Sequence, residues 1–236
     1  MDDFIKKMIK QNSDTDLNKR FEEVIKISHE MYELAVRNKI PMGPGMVGGS
    51  PCERDLLFWY LAARTFKPKK VVEVGAWIGT STLVIAKALY EIYGEDFTIT
   101  TCDYPNNVYI KDHKYKHLSD RIYYSNLHSD SLFKSLSASN QKYDALFSDA
   151  DLTNNNIGDI NNIFDPSNLL FLTHDVYPDS NKSAKGNRAL EQVSKTYNTT
   201  IIAPKKESGT VVDGHIDYPI NAVTGIALSG KYESII

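Results

Sequence analysis

The sequence predicts an α/β fold in which a doubly wound, seven-stranded, mostly parallel sheet follows a set of N-terminal helices. From Lys70 onward, short apolar runs rich in β-branched residues alternate with segments of helical periodicity. This alternation is typical of successive βα units on a buried parallel sheet. The last two apolar runs, 200–204 and 223–230, have no clear helical segment between them. Since parallel neighbours need a crossover helix, we expect the last strand to be antiparallel.

The composition is that of an ordinary globular protein and limits the classes of partner to be expected. The chain has 236 residues, 42% hydrophobic and 24% charged, which allows a sizeable buried core. A net charge of −3 gives no overall electrostatic reason to bind nucleic acid or an anionic membrane surface. The N-terminus has no apolar segment of signal-peptide length, and the best apolar run, LLFWYLAA, is too short to span a bilayer. We therefore expect a cytoplasmic protein with neither a membrane nor a nucleic-acid partner.

Helices are expected on both sides of a stretch rich in glycine and proline. Apolar residues recur at helical spacing over residues 15–38, which predicts an amphipathic helix. The stretch PMGPGMVGGSP, from Pro41 to Pro51, interrupts regular structure. A further helix is expected from about Pro51 to Thr65, because proline is well tolerated in a first helical turn.

Seven segments are predicted as strands, and their ends are the candidate functional positions. In chain order they are VVEVG, TITTCD, IYYS, YDALFSD, NLLFLTHD, TIIAP and VTGIALSG. The helices between them include STLVIAKALYEIYG and NRALEQVSKTYN. In open α/β sheets, ligands bind beyond the carboxyl ends of the strands. Residues at those ends are therefore the first candidates for functional residues.

The turn after the first strand carries the strongest binding signal. The strand ends at Glu73, and the chain passes Gly75 and Gly79 before it enters a helix near Thr80. Glycines let the backbone approach a ligand closely, and a helix N-terminus offers free amides to an anionic group. The spacing is GxxxG, which differs from the GxGxxG of dinucleotide-binding turns and from the GxxxxGK[ST] phosphate loop. The turn is thus predicted to hold a nucleotide or an amino-acid carboxylate.

The next two strand ends extend this predicted site. Asp103 ends TITTCD, where an acid can accept hydrogen bonds from a ribose diol, although an acid there can also simply form a turn. Ser129 and Asp130, in HSDSL, lie where a nucleobase edge would be, and either could instead cap the following helix.

The segments VVEVGAWIGTST, TITTCD and YDALFSDAD together resemble the class I S-adenosylmethionine-dependent methyltransferases, which have a Rossmann-like fold. Residues 46–89 are similar to the opening of small O-methyltransferases of the catechol type, and of bacterial relatives that act on caffeoyl thioesters and on antibiotic (macrolide) sugars. The similarity extends from about Met46 to Lys231. It implies a methyltransferase that moves a methyl group from S-adenosylmethionine to a hydroxyl of a small metabolite, either phenolic, sugar or natural product.

The resemblance also implies an organisation for the chain. Residues 1–49 would form an N-terminal helical lid segment, and residues 50–236 the S-adenosylmethionine-binding methyltransferase domain. Members of the family are often homodimers, and nothing in the sequence fixes an interface.

The resemblance further assigns the cofactor contacts. It places Glu73 and Gly75 near the methionine moiety and lets Met46 and Val47 close over the cofactor. Trp77 would offer an aromatic face to the sulfonium cation, or else be a core tryptophan. The predicted cofactor-binding set is Met46, Val47, Glu73, Gly75, Trp77, Gly79, Ser81, Asp103, Ser129, Asp130 and Asp149.

In the resembling family, the ends of the fourth and fifth strands hold a divalent cation, here Mg²⁺ or Mn²⁺. Asp149 and Asp175 are the predicted oxygen ligands, and His174 is a third that would favour Mn²⁺. His174 stands where catechol-type members usually carry a carboxylate. The alternatives are carboxylates that hydrogen-bond the substrate without a metal, or charged residues on solvated strand ends.

The catalytic base departs from the family pattern. The usual lysine or histidine lies three residues after the first aspartate, where this chain has Leu152. An alkyl chain cannot accept a proton, so Asp151 is the predicted base and His174 the second candidate. Three alternative functions stay open: an RNA-modifying methyltransferase of the same fold, a methyltransferase-like protein whose catalysis is altered at Leu152, or a nucleotide-binding protein.

Overall fold

The computed structural model describes residues 1–13, 15–40, 52–104, 114–177, 184–204, 216–218, 220 and 223–235. The helices are α1 (Asp2–Gln11), α2 (Leu17–Arg37), α3 (Glu53–Phe66), α4 (Thr80–Tyr93), α5 (Lys116–Ser119), α6 (Ser129–Ala138), α7 (Asn154–Ile163) and α8 (Lys185–Thr196). The strands are β1 (Lys70–Val74), β2 (Thr98–Cys102), β3 (Ile122–Ser125), β4 (Ala145–Ser148), β5 (Leu170–Thr173), β6 (Thr200–Ile202) and β7 (Gly225–Leu228). Short 3₁₀ helices cover Pro166–Asn168 and Gly230–Ile235.

The strands form one seven-stranded sheet in the order β3-β2-β1-β4-β5-β7-β6. β1 to β5 pair with one another in parallel, and β7 runs antiparallel to both β5 and β6. Each strand coincides with a predicted segment, so the seven-stranded sheet and its antiparallel last strand are confirmed. The residues of β4, β5 and β7 are buried throughout, as expected for strands covered on both faces.

The strand order places a topological switch point between β1 and β4. From β1 the chain crosses to β2 and β3 on one side of the sheet, and it returns to β4 on the other side of β1. Connections that leave in opposite directions open a crevice beyond the carboxyl ends of the two strands. The glycine turn after β1 and the acids after β4 therefore meet at this crevice.

The N-terminal helices belong to the same buried core as the helices that cover the sheet. Met8 of α1 and Phe21 of α2 have no exposed surface and lie in one apolar cluster with α3, α4 and the sheet. The helix predicted over 15–38 is confirmed as α2, and Asp16 caps it by accepting a hydrogen bond from the Lys19 amide. α3 begins at Glu53 rather than at Pro51, which lies outside the described residues. The division into residues 1–49 and 50–236 stays a prediction.

Among the described residues, no helix combines the length and the apolar character that crossing a membrane requires.

Candidate active site

A cavity of about 290 Å³ opens at the switch point, beyond the ends of β1, β2 and β4. Five residues predicted from the sequence line it: Gly75, Asp103, Ser129, Asp149 and Asp151. Its other lining residues are Cys102, Tyr104, Leu127, His128 and Ala150. A larger cavity of about 580 Å³ lies between α1, the start of α2 and Ile216. That cavity is remote from the strand ends, so the smaller one is the candidate site.

The glycine turn is shaped by contact between strands. Gly75 has φ +87°, and a Cβ there would lie 2.8 Å from the backbone carbon of Asp149. Only glycine therefore allows the end of β1 to approach the end of β4 this closely. Gly79, with φ +94°, is the N-cap of α4.

Glu73 and Ser81 bind one another inside the protein. The Glu73 carboxylate is fully buried and accepts hydrogen bonds from Ser81 Oγ at 2.7 Å and from Thr101 Oγ1 at 2.8 Å. It also accepts one from the Thr82 hydroxyl. Burial raises the pKa of Glu73. These contacts join β1, β2 and the start of α4, so Glu73 and Ser81 shape the turn, and their contact with a cofactor stays a prediction.

Asp103, which follows β2, also holds the glycine turn after β1 in place. Its Oδ2 accepts a hydrogen bond from the Trp77 amide at 2.5 Å, while its side chain lines the cavity. Burial raises the pKa of Asp103. Trp77 has φ +45°, which is unusual for a non-glycine residue. Its half-buried ring packs against the apolar core, so its contact with a sulfonium stays a prediction.

The structure separates Ser129 from Asp130. Ser129 lines the cavity and is the first residue of α6, whose N-cap is His128. The exposed Asp130 accepts hydrogen bonds from Thr153 Oγ1 at 3.1 Å and from Asn156 Nδ2 at 2.6 Å, both at the start of α7. Neither residue is the N-cap itself, and Asp130 joins two helices outside the cavity lining. Its contact with a cofactor stays a prediction.

Met46 and Val47 lie outside the described residues.

The three predicted metal ligands do come together. His174 Nδ1 lies 3.2 Å from Asp149 Oδ1 and 3.2 Å from Asp175 Oδ1. One potential ligand atom from each residue lies within 4.8 Å of the other two. The carboxyl ends of β4 and β5 bring them together, as predicted. Metal binding itself stays a prediction.

His174 is surrounded by carboxylates. Its side chain is 13% exposed, and Nε2 lies 3.6 Å from Oδ2 of the buried Asp55. Burial alone would lower the pKa of His174, but the neighbouring carboxylates of Asp149, Asp175 and Asp55 outweigh it and raise the pKa to about 12. The hydrogen bond from His174 in turn holds the pKa of Asp175 well below its usual range. The surrounding carboxylates therefore favour the protonated form of His174, and its role as a base stays a prediction.

Lys185 is a candidate site residue that sequence reasoning missed. Its Nζ donates to Asp149 Oδ1 and to the Asp149 backbone oxygen, both at 2.7 Å, and lies 3.2 Å from Asp175 Oδ2. Burial alone would lower the pKa of Lys185, but the two aspartates outweigh it and raise the pKa. Lys185 is the first residue of α8, where the helix dipole disfavours a cation. A lysine shortly before the predicted helix NRALEQVSKTYN, the next helix after the His-Asp pair, was the available signal.

The predicted base, Asp151, lies apart from this cluster. Its side chain lines the cavity but is 70% exposed and forms an ion pair with Arg188. Leu152, at the family's usual base position, is buried. Among the described residues, Asp149 alone belongs to both the cavity lining and the cluster. The base role of Asp151 stays a prediction that its geometry does not favour.

No protein-family model matches the chain, and no curated protein matches its sequence. Solved structures do match its fold. The O-methyltransferase from Bacillus cereus in complex with SAH is 13% identical, with 86% of this chain and 90% of that chain covered and a TM-score of 0.60. The chain has a methyltransferase fold. This confirms, for the fold, the resemblance to class I S-adenosylmethionine-dependent methyltransferases.

Two further structures share the methyltransferase fold. The O-methyltransferase TomG from Streptomyces achromogenes, involved in tomaymycin synthesis and in complex with SAM, is 12% identical. It covers 86% of this chain and 89% of its own, with a TM-score of 0.57. An SAH-bound methyltransferase from Podospora anserina is 15% identical, with 87% and 88% covered and a TM-score of 0.57.

Proposed function

We propose that this chain is an S-adenosylmethionine-dependent O-methyltransferase that acts on a small hydroxylated metabolite. The observation that carries the proposal is the switch-point cavity, in which Asp103 and Asp149 face one space at the end of a methyltransferase fold. The similar structures from Bacillus cereus and Streptomyces achromogenes, both described as O-methyltransferases, hold SAH and SAM. These neighbours support the proposal. A cytoplasmic location and a homodimer stay predictions.

The residues of the cavity fit S-adenosylmethionine. Its volume of about 290 Å³ is near the lower end of small-molecule pockets, roughly 300–1,000 Å³. Asp103 offers a carboxylate for the ribose diol, as predicted from the end of β2. Tyr104 and His128, whose ring centroids are 4.4 Å apart, provide an aromatic wall for a purine, and Leu127 adds apolar surface.

The chain's residues would then position the acceptor. Bound S-adenosylmethionine supplies a methyl group on a sulfonium, which is electrophilic without further activation. Asp103 would hold the nucleoside, and the Lys185 ammonium, 2.7 Å from Asp149 Oδ1, would place a positive charge near the acceptor oxygen. Asp149 borders both the cavity and the cluster, so its carboxylate is the group we assign to accept the hydroxyl proton. Alignment of two bound reactants can lower the activation free energy of such a reaction by on the order of 7–11 kcal/mol.

The divalent cation implied by the sequence resemblance does not fit this arrangement. Two carboxylates and an imidazole are suitable donors by themselves. However, the Lys185 ammonium already contacts both Asp149 and Asp175. No step is therefore assigned to a metal.

Two measurements test the proposal. Calorimetry should show that SAH binds, and tritiated methyl donor should label an acceptor in a panel of phenols, sugars and thioester-linked phenolics. Asp103→Asn should weaken SAH binding. Binding of a nicotinamide dinucleotide with no binding of SAH would refute the cofactor, and label transferred to RNA alone would favour the RNA-modifying alternative.

A further inference from the structure

Lys185 places a positive charge where a metal ion would have to bind. Its Nζ is 2.7 Å from Asp149 Oδ1 and 3.2 Å from Asp175 Oδ2, the two oxygen ligands predicted for a cation. A Mg²⁺ bound to Asp149 Oδ1 at its usual distance of about 2.1 Å would lie within roughly 5 Å of Nζ. Ammonium and dication would repel one another and compete for the same oxygens.

The position of Lys185 is fixed by the packing of its neighbour. A Cβ on Gly186 would lie 2.1 Å from the His174 backbone oxygen and 2.8 Å from the backbone carbon of Asp175. The start of α8 therefore lies directly against the turn that carries His174 and Asp175. The Asp149 backbone oxygen accepts a further hydrogen bond from Nζ at 2.7 Å. Three separate contacts thus hold the ammonium at this point.

The arrangement also explains why a lysine is tolerated there. Lys185 is at the N-terminus of a 12-residue helix, whose dipole disfavours a cation. Two carboxylates offset this effect, and the lysine side chain is only 27% exposed. The described side chains around Asp149 and Asp175 therefore already supply the positive charge that a metal ion would bring.

We propose that Lys185 takes the place of the divalent cation, so that this chain is a metal-independent methyltransferase. The ammonium holds Asp149 and Asp175, and its positive charge stabilises the acceptor oxygen as that oxygen loses its proton. As the C–O bond forms and the C–S bond breaks, the electron pair of the C–S bond stays on sulfur and the hydroxyl proton passes to Asp149. Lys185 keeps its proton throughout. The catalytic part rests on the proposed function, whereas the exclusion of metal from the site does not.

The test measures metal binding directly. Mn²⁺ is titrated into the wild-type chain, Lys185→Met and Lys185→Arg, and free Mn²⁺ is followed by electron paramagnetic resonance. We expect no saturable site below millimolar Mn²⁺ in the wild type and in Lys185→Arg, which retains the charge. Lys185→Met should gain one Mn²⁺ site that binds at least tenfold more tightly than any site in the wild type. Adding Asp149→Asn to Lys185→Met should abolish this site. Circular dichroism verifies that each variant is folded.

The outcomes separate the two proposals. A micromolar Mn²⁺ site in the wild type that Asp149→Asn removes would overturn the inference, and so would a folded Lys185→Met that gains no site. Lys185→Gln repeats the test should Lys185→Met fail to fold. With an acceptor, wild-type turnover should change less than twofold in chelator, and Lys185→Met should lose at least 100-fold with SAH affinity retained. Failure of SAH to bind, with the Mn²⁺ results as expected, would refute the proposed function alone.

Discussion

Gly186→Ala should damage the candidate site without touching any of its charged groups. The added methyl group would lie 2.1 Å from the His174 backbone oxygen and 2.8 Å from the Asp175 backbone, whereas ordinary contact begins at 3.4 Å. Both obstacles are backbone atoms, so no side chain can rotate away. The start of α8 must move outward by roughly 1 Å, carrying Lys185 with it, and a misplacement of that size can reduce a rate about 10²-fold.

The same substitution should lower stability by an amount that denaturation can measure. Overpacking of a closely packed site destabilises by about 1–3 kcal/mol. The matched control is Gly158→Ala in α7, because nothing lies within 4 Å of a Cβ at that position. Since alanine is the better helix former, Gly158→Ala should stabilise the chain by up to about 1 kcal/mol.

Urea denaturation of both variants, followed by circular dichroism, gives the two changes in unfolding free energy. Methyl transfer, once an acceptor is identified, gives the rate. Wild-type stability and turnover in Gly186→Ala would refute the reasoning, because they would show that α8 does not lie against the turn after β5.

The remaining predictions concern the cofactor, the base and the N-terminal helices. Asp103→Asn removes a charged acceptor from the cavity, so calorimetry should show SAH binding weakened by about 1.5–3 kcal/mol, and unchanged affinity would exclude Asp103 as a contact. Asp149→Asn should reduce turnover at least 100-fold, whereas turnover of Asp151→Asn, a change at an exposed residue, should stay within about threefold of wild type. A larger loss of turnover in Asp151→Asn than in Asp149→Asn would instead identify Asp151 as the base. The Glu91 side chain is 9% exposed and pairs with Arg64 at 2.7 Å. Glu91→Gln should therefore lower the free energy of unfolding by about 3 kcal/mol. An unchanged urea midpoint would contradict a stabilising role for this ion pair.

The Glu91 contacts also bear on the predicted lid. Its carboxylate accepts hydrogen bonds from Arg64 and Tyr60 of α3 and from Arg20 of α2. Lys87, one turn earlier in α4, pairs with Glu91 at 2.7 Å and with Glu23 of α2. Partly buried ion pairs of this kind hold α2 against α3 and α4. A lid segment that includes α2 could therefore move only by breaking these contacts or by carrying α3 and α4 with it.

The sequence by itself determined the sheet and the edge at which the candidate site lies. The strands were readable because a buried parallel strand is a short run of β-branched and apolar residues, a property of neighbouring positions. The turn with Gly75 and Gly79 was readable for the same reason, since positive φ values require particular residues at particular places. His174 and Asp175 were found because they directly follow a strand.

Only the tertiary structure decided which side chains at that edge meet. Asp149 and Asp151 are two positions apart, yet Asp149 lies in the partly buried cluster and Asp151 pairs with Arg188 on the surface. Lys185 reaches Asp149 from 36 residues away because Gly186 lets a helix start against another strand's end. Such contacts depend on the distance between elements that are remote in the chain. No local pattern of residues encodes that distance, so the charge of the site emerged only once the helices were packed against the sheet.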